Sequence, residues 1–425
     1  MSPARPTVQV VGRRLAPEDH DLRDFLTRAA QPFEWFEAGT PEAEKLLAEK
    51  GATDAELPVV IDGDDVTPAA TILKLAEKWG VREPPRQRLY DIAIVGAGPA
   101  GLAAAVYAAS DGLSTVVVDR DVPGGQASHT SMIENFFGFP DGIGGAELAR
   151  LAGRQAERFG AELLLLRRIE NTDRRDEGFV LNLEGGYEVV APLMIAATGM
   201  AWRRLEAEGV DELLGRGVYY GAGRSEAAQC SGDDVVVVGG GNSAGQAVMH
   251  LANSGARVVL LVRGSSLSES MSAYLVERIE AHPWVKVRLE TEVERLEERD
   301  ARLAAVIVRN PDGETDRIPA AVLFICIGGV PCTEWAAGSG VHVGPRGFVL
   351  TGPDLILEGG LPAEWPLQRP PLALETSVPG LFAAGDIRHG APRRVGGAVG
   401  DGAMAVALAH RIEEKLPHPG RAERL

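Results

Sequence analysis

The sequence predicts an α/β protein in which two β-α-β dinucleotide-binding units follow a small α/β unit. Three observations carry this. An internal repeat places Gly96-Ala97-Gly98-Pro99-Ala100-Gly101 and Gly239-Gly240-Gly241-Asn242-Ser243-Ala244 after apolar strands and ahead of helical patterns. In both copies a second apolar strand ends 23 residues beyond the first glycine, at Asp119 and at Val262. Glycine supplies 51 of the 425 residues without a collagen-like period; the usual share is about 7 %, and the excess marks many backbone-shaped turns.

The bulk properties narrow the function classes. A chain of 425 residues, at about 100 to 200 per domain, is multidomain. Its formal net charge of −17, from 43 basic and 60 acidic residues, repels phosphate backbones and anionic lipid heads. No nucleic acid and no membrane is therefore expected as a partner. The longest apolar runs, such as Ala320 to Val330, reach about half the length that spans a bilayer. Met1 to Pro6 opens no signal peptide, so a cytoplasmic location is expected. Three cysteines, Cys230, Cys326 and Cys332, cannot build a disulfide scaffold, and no two of them stand in a CxxC spacing.

Residues 1–82 read as the small unit. Val8 to Val11 is a short strand, and a helix runs from Pro17 with Leu22, Phe25, Leu26 and Ala29 on one face. Phe33 to Glu37 is the next strand, and Pro41 to Lys50 a helix stopped by Gly51. Leu57 to Ile61, the Asp62-Gly63 turn and Val66 suggest a hairpin, before a last helix through Ala69 to Lys78. This β-α-β-α-β-β-α order resembles a thioredoxin or glutaredoxin domain, and Leu57-Pro58 falls where that family carries its cis-proline. The redox pair of such a domain would open the first helix, where Ala16-Pro17-Glu18-Asp19 stands without a thiol. Residues 83–89, charged and proline-rich, read as a linker.

Each glycine motif has a physical reading as a Rossmann-like unit. The first glycine makes a tight turn, the second lets a pyrophosphate approach the backbone, and the third small residue lets helix and strand pack closely. The phosphate then meets a helix N-terminus. At the end of the second strand, Asp119 can accept from both hydroxyls of a ribose, which suits FAD or NAD. In the second copy Val262 and Arg263 stand at that place. An arginine pairs with a 2′-phosphate that an acid would repel, so NADPH is expected rather than NADH.

From Tyr90 to Leu416 the chain resembles the low-molecular-weight thioredoxin reductases, flavoenzymes whose FAD domain is interrupted by an NADPH domain. The matching pieces are the two glycine motifs; Gly124-Gly125-Gln126 with Ile133-Glu134-Asn135; Ala197-Thr198-Gly199; Ile327-Gly328; and Phe382-Ala383-Ala384-Gly385-Asp386. The resemblance implies an FAD domain over 90–205 and 330–425, which ends in a C-terminal helix, with the NAD(P)H domain at 206–329. It assigns FAD to Gly96, Gly98, Pro99, Ala100, Gly101, Asp119, Arg120, Gly125, Gln126, Asn135, Thr198, Gly199, Gly385 and Asp386. Arg393, Arg394 and Val395 open a helix whose positive end would face the flavin. NADPH falls to Gly239, Gly241, Asn242, Ser243, Ala244, Arg263, Ile327 and Gly328. A homodimer is also implied.

The departures decide the mechanism. Thioredoxin reductases carry a CxxC ahead of the second glycine motif, and its slot here holds Gly221-Ala222-Gly223-Arg224. Cys230 reads as a packing residue at a helix end and Cys326 as core, and Cys332 has no partner at CxxC spacing. Disulfide exchange needs sulfur at both ends of a relay, so a two-cysteine mechanism is excluded. His20, His250, His282, His342 and His389 show no metal-ligand spacing, and no metal is expected. His389, near the expected flavin edge, and Tyr220, beside the empty slot, are the catalytic candidates. The sequence thus predicts an FAD-dependent NAD(P)H oxidoreductase that hands electrons directly to an acceptor: a ferredoxin-like protein, a quinone, a small disulfide or oxygen. Two other readings stay open, a non-enzymatic flavin redox sensor and a thioredoxin-disulfide reductase using Cys230.

Overall fold

The fold is seen in a computed structural model that describes residues 6–130, 132–221, 230–356, 361 and 365–413. The N-terminal unit has the order the sequence predicts: β1 (Val8–Gly12), α1 (Pro17–Arg28), β2 (Phe33–Glu37), α2 (Pro41–Lys50), β3 (Val59–Asp62), β4 (Asp65–Thr67) and α3 (Ile72–Lys78). Its sheet runs β2-β1-β3-β4, with β1 parallel to β2 and antiparallel to β3. The Leu57-Pro58 peptide is cis. At the start of α1, the buried carboxylate of Asp19 accepts from the backbone N–H and the guanidinium of Arg13. Residues 83–89 lie along the next unit: the N–H of Arg86 donates to Glu162 at 2.8 Å, and Arg88 pairs with Glu177 and Glu188.

The first nucleotide unit begins with β5 (Ile92–Val95), α4 (Pro99–Ser110), β6 (Thr115–Val118), α5 (Gly145–Arg158) and β7 (Glu162–Leu164). An antiparallel sheet of β8 (Ile169–Arg175), β9 (Gly178–Leu183) and β10 (Tyr187–Ala191) follows, then β11 (Leu193–Ala196) and β12 (Met200–Trp202). The second unit comprises β13 (Val218–Tyr220), β14 (Asp234–Val238), α6 (Asn242–Asn253), β15 (Arg257–Leu261), α7 (Ala273–Ala281) and β16 (Val285–Arg288). It continues with the antiparallel β17 (Glu292–Arg299), β18 (Arg302–Arg309) and β19 (Thr315–Pro319), then β20 (Val322–Ile325). The chain returns through β21 (Gly329–Pro331) to β22 (Leu381–Ala383) and α8 (Val395–Glu413) in the first unit.

The repeat read in the sequence is a repeat in space. The parallel sheets run β22-β11-β5-β6-β7 and β13-β20-β14-β15-β16, so the glycine-motif strand is central in both. Their strands are apolar because helices or a further sheet cover them; β6 and β20, for example, are buried throughout. In the first sheet the small residues of α4 let α8 come close, and a Cβ on Gly402 would collide with the carbonyl of Ala100. The two chain crossings between the units pair as a short antiparallel ribbon, β12 with β21. No helix among the described residues is long and apolar enough to cross a membrane.

Candidate functional site

Both glycine turns close against the same kind of partner, a strand-end carbonyl. Gly96 (φ +106°) and Gly239 (φ +145°) lie in a backbone region that disfavours side chains. A Cβ on Gly96 would strike the carbonyl of Ala197, at the end of β11, and one on Gly239 the carbonyl of Cys326, at the end of β20. The amides of those two residues in turn donate to Val95 and Val238, each at 2.7 Å. Cys326 is therefore the counterpart of Ala197, a strand-end core residue; burial pushes its thiol up to about 12. The second glycines, Gly98 and Gly241, differ: nothing lies within 4 Å of where a Cβ would stand. Each caps a helix, α4 and α6, and each lines a cavity. That bare backbone at a helix start is the cradle a pyrophosphate requires.

The cavity is one continuous cleft of about 1230 Å³, walled by both units. It exceeds the roughly 300 to 1,000 Å³ usual for a single small-molecule site. Of the residues assigned to FAD, Gly96, Gly98, Pro99, Ala100, Asp119, Gly125, Gln126, Asn135, Thr198, Gly199, Gly385, Asp386, Arg393, Arg394 and Val395 line it. Of those assigned to the nicotinamide nucleotide, Gly239, Gly241, Asn242, Ser243, Arg263, Ile327 and Gly328 do. Gly101 and Ala244 stand outside, in packing: a Cβ on Gly101 would meet the carbonyl of Gly96, and Ala244 packs within 3.2 Å of the Cβ position at Gly239. Arg120 is exposed and outside the cleft.

Asp119 accepts hydrogen bonds from the amides of Ala97 and Asp121. Burial nonetheless pushes its carboxyl up to about 6, against those two donors. Burial also raises Asp386, with Arg393 opposing and Asp401 adding to the shift. Asp401 itself grips Arg388 through both oxygens and takes the amide of Gly385 at 3.1 Å, which fixes the turn carrying Asp386. Gln126 donates to the carbonyl of Met200 at 2.9 Å, which ties the cleft floor to the ribbon.

Neither catalytic candidate from the sequence lines the cleft. Tyr220 turns into the second unit, where its hydroxyl accepts from the amide of Leu205 at 2.9 Å. His389 faces Asp354 at 3.3 Å instead. The reason is local: the backbone of His389 bonds to Val349, which turns the residue along that strand-like segment and away from the turn at Gly385. Of the empty CxxC slot, residues 222–224 lie outside the described residues, whereas Gly221 lines the cleft. Cys230 is buried in the core of the second unit. No group of three or more histidine, cysteine or acidic side chains able to hold a metal occurs among the described residues.

Sequence reasoning missed His129 and Trp202, which both line the cleft and meet edge to face with ring centres 5.6 Å apart. His129 stands three residues beyond Gln126, and that proximity was the available signal. It also missed the loop after Arg263, which puts Ser266, Glu269 and Ser270 in the wall. Glu269 accepts from the hydroxyl of Ser265 at 3.1 Å, so an acid shares the loop with Arg263.

A fold with two dinucleotide cradles opening on one cleft defines a class, the two-nucleotide oxidoreductases. The comparisons narrow it: the chain belongs to the pyridine nucleotide-disulphide oxidoreductase family, whose profile matches residues 90–402. It is 32% identical over 330 residues to a thioredoxin reductase of Bacillus subtilis, covering 77% of this chain and 96% of that one. A thioredoxin reductase of Listeria innocua is 32% identical over 338 residues, covering 79% and 98%. Among solved structures, T. acidophilum thioredoxin reductase superposes with a TM-score of 0.68 at 27% identity, covering 78% of this chain and all of that one (100%). Lactococcus lactis thioredoxin reductase in its FR conformation matches with a TM-score of 0.68 at 28% identity, covering 77% and 100%. The protein is thus a thioredoxin-reductase-like oxidoreductase.

Proposed function

We propose that this protein is an FAD-dependent oxidoreductase that accepts a hydride from NADPH and delivers electrons directly to an acceptor, without a redox disulfide. The observation that carries this reading is the single cleft lined by both glycine cradles, in a chain with no CxxC. Bound flavin would supply the two-electron chemistry. The chain's own residues bind and orient. Amides at the starts of α4 and α6 would face the two pyrophosphates, Asp119 would take the ribose hydroxyls and Asp386 the flavin side chain. Arg263 would meet the 2′-phosphate. The residues of both units that line the cleft would hold the two nucleotides and orient them toward each other.

The burial of Cys230 in the core disfavours a thiol role for it. The acceptor is a small molecule or a small electron-transfer protein, and the enzyme works in the cytoplasm as a homodimer, in keeping with the resemblance. The test is anaerobic mixing with NADPH or NADH followed by a panel of acceptors. NADPH should bleach the flavin, and ferredoxin-type proteins, quinones or ferricyanide should restore its colour. A flavin that neither nucleotide bleaches refutes the reading.

A further inference from the structure

Helix α1 of the N-terminal unit touches both nucleotide units at once. Ahead of it, Arg14 reaches Asp233 of the second unit at 2.6 Å. At its start Pro17 lies on Gly215, where any Cβ would come within 2.8 Å of it. One turn on, the ring of His20 stands 4.4 Å from that of Tyr219. On the other flank Arg28 pairs with Asp121 of the first unit at 2.7 Å, and Asp24 with His129 at 3.5 Å. Beneath these pairs Val122 and Leu166 of the first unit share a buried cluster with Val8, Phe25 and Leu26. Burial works against the charge on Arg28, but Asp24 and Asp121 outweigh it and raise its pKa, so the flank stays ionic.

The two nucleotide units are joined covalently by only two crossings, the three-residue strands of the β12-β21 ribbon. A joint of so few dihedrals is a hinge, and rotation about it would change the distance between the two cradles. A body anchored on both sides of a hinge removes that freedom. An appended domain docked on one unit alone would leave it.

We propose that α1 is a brace across this hinge that holds the two halves of the cleft at one rotation, with Asp24 as a positioning residue that sets His129 in the cleft wall. The inference rests on the reading of the cleft as a site for two nucleotides. It explains why the start of α1, bare of thiols, is closed by Asp19 and Arg13 and packed on Gly215. Direct transfer between two bound rings gains from a fixed separation. The N-terminal unit then works as part of the reductase frame and presents no docking end to a partner.

The full-length protein is compared as Arg14→Glu, Asp233→Arg and the double exchange, alongside Asp24→Asn and Asp24→Glu. Hydrogen exchange at residues 200–202 and at Gly329 and Val330 should rise roughly threefold or more in each single charge reversal and return in the double exchange. In stopped-flow reduction the limiting rate should fall several-fold with the nucleotide KM unchanged, because binding to one unit survives while orientation does not. Asp24→Asn should lower that rate and Asp24→Glu restore most of it. If a reversal unfolds the protein, Arg14→Gln removes the pair more gently. Unchanged exchange at the ribbon in folded Arg14→Glu or Arg14→Gln, or a double exchange that restores nothing, overturns the brace. Protein that takes up no FAD refutes the reading of the cleft instead, and the exchange measurement still reads the brace.

Discussion

Trp202 closes over Gly221: its indole stands 3.1 Å from the point a Cβ on Gly221 would occupy, and Gly221 holds φ +74°. Both facts bear on the slot where relatives of this fold keep a cysteine. A side chain there would need to move the indole and adopt a backbone region that costs non-glycine residues about 1 to 3 kcal/mol.

Restoring sulfur should therefore fail. Gly221→Cys with Arg224→Cys is expected to gain no disulfide reductase activity and to lower stability by about 1 to 3 kcal/mol, measured by denaturant melts. The unmodified protein should take up two electrons per FAD, show no thiolate-to-flavin charge-transfer band and be indifferent to thiol alkylation. Uptake of four electrons, or inactivation on alkylating Cys230, would restore the dithiol-type reading.

The nucleotide loop holds opposing charges, and their removal should act in opposite directions. Arg263→Ala should raise the KM for NADPH by an amount worth about 1 to 3 kcal/mol and leave NADH nearly unaffected. Glu269→Gln should improve NADPH relative to NADH, because it removes an acid from the wall that a 2′-phosphate would face. Steady-state KM ratios for the two nucleotides read both; equal changes for NADPH and NADH would make these residues structural.

Asp119 sets a pH dependence. Its carboxyl, raised by burial to about 6, binds a proton in the folded protein that the unfolded chain has already lost. Its contribution to stability is present below about pH 4 and lost as pH rises through about 6. In flavin-free protein the melting temperature should fall between those values relative to Asp119→Asn, which lacks this titration. Parallel pH profiles for the two would remove Asp119 as the titrating group. Asp119→Ala should also release FAD, read by flavin fluorescence of the filtrate.

The first glycines are predicted to be the least replaceable. Gly96→Ala or Gly239→Ala adds a Cβ against a strand-end carbonyl at a positive φ. Each should cost about 3 kcal/mol or more and lower flavin or nucleotide uptake respectively. Gly98→Ala meets nothing in the protein, so it should leave the melting temperature of flavin-free protein alone and weaken FAD binding only. A normal flavin content in Gly98→Ala would show that no pyrophosphate approaches there.

The nucleotide units were legible because their signals are local. A glycine turn between an apolar strand and a helix needs neighbours within about 30 residues, and the motif and its ribose-reading position are written in that span. The N-terminal order was legible for the same reason, since helix and strand periods and the Leu57-Pro58 pair are short-range. The absence of a CxxC was also a matter of sequence alone.

What only the tertiary structure decided involves residues far apart in the chain. Gly96 requires Ala197, Gly239 requires Cys326, and neither pairing follows from spacing. Tyr220 and His389 looked catalytic by position along the chain, but the Tyr220 hydroxyl accepts from the amide of Leu205 and the backbone N–H of His389 donates to Val349, which holds both off the cleft. His129 and Trp202 enter it side by side because Gln126, in the turn that carries His129, donates to the carbonyl of Met200 in β12. The contact of α1 with both nucleotide units joins Arg14 to Asp233 and Arg28 to Asp121 across 219 and 93 residues. Side chains that meet over such separations carry no local pattern, because loop-closure entropy is overcome by the packing of whole domains and by no feature of either segment.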